Sequence, residues 1–261
     1  MDWRSRLNLF FDNFEWKSDV SGILVYGSQV TGGSTIHSNL NVHFVFDEKV
    51  NFRQKGCKMV ESLLIDYRAN TPTQIREMFQ DDIRNRSLLS ITQFASGEVF
   101  MERAGDVSQL KREASNLHRE YYEKVPTKMM GTIDKKKIWE MKEHLAKSKF
   151  NGDLDFDFLH AVYLDRLVEM YMLHIGRPYS PKYILGNADD DRFRKKHMLN
   201  RLPDPPITEL IASSITTHNL DRKLMLFTSL ADKILEKFGG FEVDGFRIKT
   251  MLEMTTDKDN I

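Results

Sequence analysis

Residues 27–46 read GSQVTGGSTIHSNLNVHFVF, and the architecture of the chain turns on this stretch. The apolar run Ile23-Leu24-Val25-Tyr26 delivers the chain into Gly27-Ser28, where small residues let backbone N–H groups approach an anion closely. Gly32-Gly33 keeps the return path compact. From Leu40 to Phe46 the residues alternate, the period of a strand, so Asn39, Asn41, His43 and Val45 project to one side. Leu40, Val42, Phe44 and Phe46 project to the other. The polar three sit beside whatever the turn holds, and His43 there is a candidate ligand contact or base. The alternative for His43 is a hydrogen-bonded histidine in a half-buried strand.

Outward from the turn the first half keeps alternating strand and helix signals. SLLIDYRAN, residues 62–70, reads as a further strand closed by Thr71-Pro72, with Pro72 opening a helix near residues 74–80. Asp66 shares a face with Leu64 and Arg68 and can approach the turn. Arg68 either contacts a phosphate or pairs with Asp66. A helix around residues 87–95 stops at Gly97, and GEVFME supplies one more short strand. Trp3, Leu7, Phe10 and Phe14 fall at helical spacing, with Asp12 and Glu15 interrupting any signal-peptide core, so a packed first helix is expected.

Beyond Gly105 the pattern is helical. Val107, Leu110, Ala114, Leu117 and Tyr121 step by three and four residues, as do Phe156, Leu159, Tyr163, Leu167 and Met170. Leu220, Leu224, Phe227, Ala231, Ile234 and Phe238 do so again, up to Gly239-Gly240. Pro and Gly punctuate VPTKMMGT, GRPYSPKY and LPDPP as loops. Trp139 and Tyr163 read as core. The expectation is an α/β (α+β) domain with a mixed sheet over residues 1–104, an all-α helical bundle over 105–251, and a frayed polar tail at 252–261.

Composition narrows the partners. Lys plus Arg and Asp plus Glu number 38 each, so no global field draws the chain to nucleic acid or anionic lipid. No apolar run approaches the roughly 20 residues of a membrane span. The lone Cys57 leaves no internal disulfide and no cysteine-built zinc site, and suits the reducing cytoplasm.

Gly27, Ser28, Gly32 and Ser38 stand at the spacing of a known signature. The pattern resembles that of the nucleotidyltransferase superfamily with the DNA polymerase β-type fold, over about residues 20–104. Asp66, shortly before Thr71-Pro72, resembles the third family carboxylate. The small two-domain members include aminoglycoside adenylyltransferases and the minimal nucleotidyltransferases that pair with HEPN proteins. The resemblance implies transfer of a nucleoside monophosphate from an NTP, with Mg2+, to a hydroxyl on an acceptor. Gly27 and Ser28, with Ser38 closing the motif, would hold the nucleotide, and Asp66 would orient the acceptor hydroxyl as its base. GRPYSPKYIL resembles a Tyr-Pro-Lys loop of some C-terminal domains, which makes Lys182 a candidate phosphate contact; a simple bend between helices is its alternative.

The departure from the family lies at two positions. Where the family has the acidic pair that carries two magnesium ions, this chain has Asn39 and Asn41. An amide oxygen can ligate a hard cation but brings no charge. Metal stabilisation supplies several kcal/mol, so its loss costs roughly a thousandfold or more in rate. Either a natural pocket keeps its shape without catalysis, or a parent with Asp at both positions has been inactivated. The expectation is a nucleotidyltransferase-like protein with degenerate metal positions at Asn39, Asn41 and Asp66. The alternative is a non-catalytic ligand-binding or regulatory, antitoxin-like module with a protein partner. Arg192 and His197 have the spacing of the HEPN ribonuclease motif, although Phe193 stands where that motif is polar; a solvated helix face is the plainer reading.

Overall fold

The computed structural model describes residues 2–124, 129–179, 194 and 197–249. The tail expected at residues 252–261 lies outside them. The quoted stretch folds as β1 (Val20–Tyr26), the one-turn helix α2 (Ser28–Thr31) and β2 (Leu40–Phe46). With β3 (Gln54–Val60), β4 (Leu63–Asn70) and β5 (Glu98–Glu102) they form a five-stranded sheet of order β3-β4-β2-β1-β5. Only β2 and β4 run parallel, which makes the sheet mixed. β3 is a strand that periodicity did not announce. It is an edge strand, largely exposed, and its Lys55 and Lys58 replace the apolar alternation of an inner strand.

Each face of the sheet is covered. Leu40, Val42, Phe44 and Phe46 pack under α1 (Trp3–Asp12) and the turn that follows it, where Phe14 stacks on Phe44 with ring centroids 4.6 Å apart. Asp2 caps that helix by accepting from Ser5 N at 2.8 Å. On the opposite face lie α3 (Pro72–Asn85), α4 (Leu89–Ser96) and α5 (Asp106–Lys124), with Val45, Phe79, Phe94, Val107 and Leu110 in one cluster. Pro72 sits in the first turn of α3, and Thr71 and Gln74 cap each other there. The stripe of α5, read as part of the bundle, is therefore spent on the sheet. Gly22 permits this: a Cβ there would meet the Val107 side chain at 2.2 Å.

Among the described residues the helical region contains α6 (Thr132–Asn151), α7 (Phe156–His174), α8 (Pro205–Thr216) and α9 (Leu220–Lys237). Ile138, Leu145, Leu167, Tyr171, Phe227 and Ile234 form its core. Trp139 and Tyr163 are only half buried, contrary to their sequence reading. Among the described residues no helix is long and apolar enough to cross a membrane.

Candidate functional site

Sheet register decides which polar side chains meet. Tyr26 on β1 pairs with Asn41 on β2, and Asn41 pairs with Asp66 on β4. Paired residues point to the same face, so these three stand in a row across the C-terminal ends of β1 and near the starts of β2 and β4. One step further along β2 and β4 comes the row Leu24, His43 and Arg68. Tyr26, Asn41, Asp66 and Arg68 open onto a cavity of about 260 Å³ between the sheet and the helical region. Leu88, Thr92 and Ser96 line it from the α4 side, and Val168, Met172, Leu202 and Ile211 form its far wall.

Gly27 makes the sheet end possible. Its φ of 84° and ψ of −158° lie where side-chain-bearing residues are strained, and a Cβ would come within 2.8 Å of Asn41 Nδ2. The following turn is held by its own backbone: Val30 N and Thr31 N donate to Gly27 O at 3.1 and 3.0 Å. Ser38 serves this loop, its Oγ accepting from Thr35 N at 2.8 Å and its carbonyl from Gln29 Nε2 at 3.3 Å.

Of the residues singled out from sequence, Gly27, Asn41, Asp66 and Arg68 come together at the cavity. Ser28, Ser38 and Asn39 do not line it, and Asn39 is exposed just ahead of β2. Lys182 and Arg192 lie outside the described residues, while His197 lines the cavity. His43 corrects its reading as a base. It shares the face of Asn41 but is fully buried, its ring 4.9 Å from that of Phe94. Burial, helped by the Arg68 guanidinium, holds its pKa down at about 3, so it is neutral.

Among the described residues Asp66 and Arg68 form no ion pair with each other. Both act on the Tyr26 hydroxyl, whose pKa burial pushes up, the guanidinium lowering it and the carboxylate raising it. The two charges and that hydroxyl's residue line the same cavity.

Periodicity left the rest of the cavity unread. Tyr26 carried a faint signal, a polar-tipped aromatic ending an apolar strand. Leu88 carried none: it is 2% exposed yet has φ 53°, and Arg86 beside it has φ 55°. Strain of this kind collects where structure clamps a ligand. Asp82 holds the corner, accepting from Ser87 Oγ at 2.7 Å and Ile91 N at 2.8 Å. Arg86 Nη1 reaches the helical region, donating to Leu173 O at 2.9 Å, and the Arg177 guanidinium lies 4.8 Å from the Tyr122 ring centre.

The donor set does not fit a pair of magnesium ions. Asp66 is the one carboxylate among the described residues lining the cavity, and among the described residues no group of three or more His, Cys, Asp and Glu side chains could hold a metal. Asn41 offers an uncharged amide where Mg2+ catalysis relies on carboxylates.

A crystal structure of a nucleotidyltransferase-like protein from Exiguobacterium sibiricum 255-15 is similar to this chain at a TM-score of 0.43 and 11% identity, over 91% of this chain and 77% of that one. No protein-family model and no curated protein matches the sequence.

Proposed function

We propose that this chain is a nucleotidyltransferase-like protein that binds a nucleotide at the Gly27–Asn41–Asp66 end of the cavity and does not carry out metal-dependent nucleotidyl transfer. The observation that carries the reading is the cross-strand row of Tyr26, Asn41 and Asp66 beside Gly27, with a single carboxylate in it. Gly27, Asn41 and Asp66 lining one cavity support this reading, and an amide at position 41 brings no charge to neutralise a triphosphate through metal. The chain's own groups can still position a ligand. Asn41 offers both a donor and an acceptor, and Asp66 accepts from a hydroxyl or amine. A role as a regulatory module with a protein partner in the cytoplasm is the companion reading, and the lone carboxylate favours it over catalysis.

The test is transfer of AMP or GMP from radiolabelled ATP or GTP with magnesium, for the unchanged chain and for Asn39→Asp combined with Asn41→Asp. No transfer by the unchanged chain is expected, with metal-dependent transfer gained by the double variant. Transfer by the unchanged chain at ordinary enzyme rates sinks the silenced reading. A double variant that binds no metal and stays inert sinks the superfamily mechanism.

A further inference from the structure

The two charges of the sheet end face a wall of opposite character. Asp66 and Arg68 lie two residues apart on β4, roughly 6.6 Å along the strand, and point to the same face. Neither is paired with the other, and both act on the hydroxyl of Tyr26, a residue only 8% exposed. Across the cavity stand Val168, Met172, Leu202 and Ile211, with the strained Leu88 at the side. Among the described residues the lining has no charged or titratable side chain besides Asp66, Arg68, His197 and the tyrosines. A simple anion seated on Arg68 would be repelled by Asp66, and a simple cation on Asp66 by Arg68. A polycation would meet one carboxylate among the described lining residues. A head group carrying both signs satisfies both residues at once, provided that its body is apolar.

We propose that the cavity binds a zwitterionic amino acid with a large apolar side chain. Its ammonium group meets Asp66, its carboxylate meets Arg68, and its side chain lies against Leu88, Met172, Leu202 and Ile211. The cavity of about 260 Å³ falls just below the usual ~300–1,000 Å³ of ligand pockets, which suits an occupant of this size. Pairing both charges with the ligand offsets the cost of holding them away from bulk water. The inference rests on the reading above only for the location of the site. The amino acid takes the acceptor side, next to Asp66, and leaves the turn at Gly27 to the nucleotide.

The test is calorimetric titration of the full chain with L-tryptophan, L-phenylalanine and L-leucine, alongside tryptamine and indole-3-propionate, which each lack one charge of tryptophan. At least one amino acid is expected to bind, and each single-charge analogue should bind about tenfold or more weakly, a loss of about 1.4 kcal/mol. Asp66→Asn should erase the preference for tryptophan over indole-3-propionate, and Arg68→Gln the preference over tryptamine. Leu202→Glu, at a half-buried wall position, should weaken every probe. Binding by none of the amino acids overturns the inference, as does equal binding of tryptophan and both analogues. ATP titrated in parallel separates the two readings. ATP binding without amino-acid binding leaves the nucleotide site standing and removes this inference; amino-acid binding without ATP binding does the reverse.

Discussion

Gly27 and Asn41 constrain each other. With Nδ2 of Asn41 2.8 Å from where a Cβ would sit, Gly27→Ala must both strain the backbone and displace the amide that faces the cavity. The expected cost is about 1–3 kcal/mol in urea unfolding, together with loss of ligand binding. His43 gives a second prediction at this scale. Its pKa falls from 6.5 to about 3 on folding, so between those values the unfolded chain binds the extra proton and stability rises with pH. Stability should therefore fall by up to about 1.4 kcal/mol per pH unit as pH drops through that window, and His43→Gln should flatten the slope measured by urea melts. Period-two alternation was enough to place Asn41 and Asp66 beside the turn. It gave the side of the sheet for His43 but not its depth, because the covering ring, Phe94, comes from a helix whose packing no local pattern records.

Elements with a clean apolar period were legible, and those without one were not. β2 runs over the residues at which alternation begins and ends. β3 escaped because an exposed edge strand buries almost nothing. α6 escaped because lysines at 135–137, 142, 147 and 149 surround its few buried positions Ile138, Met141 and Leu145, and α8 because Pro205 and Pro206 read as loop although prolines fit a first helical turn. The α3–α4 corner matters most for the site, since Asp82 fixes the turn that presents Ser87 and Leu88 to the cavity. Asp82→Ala leaves the buried Ile91 N–H without its acceptor and should cost about 2–3 kcal/mol in denaturant melts. The loss should come with weaker binding of whichever ligand fills the cavity.

At the scale of the molecule, the sequence located a change of pattern at Gly105, but the packing does not change there. α5 belongs to the cover of the sheet, a long-range consequence of Gly22 that no window of the sequence displays. The cavity then depends on how the sheet end meets the helical region, where Arg86 donates to Leu173 O. Arg86→Ala should lower ligand affinity while leaving the far-UV signal of both parts intact, because it removes a link between them and no core contact. What the cavity can do follows from its charges: among the described residues, one carboxylate, one guanidinium and the uncharged amide of Asn41 line its sheet end. The most direct measurement is therefore the affinity for ATP, by calorimetry, in excess Mg2+ and again in EDTA. Equal affinity under the two conditions is the predicted result. Binding that appears with Mg2+ and vanishes in EDTA would contradict a site whose metal-holding charge is absent.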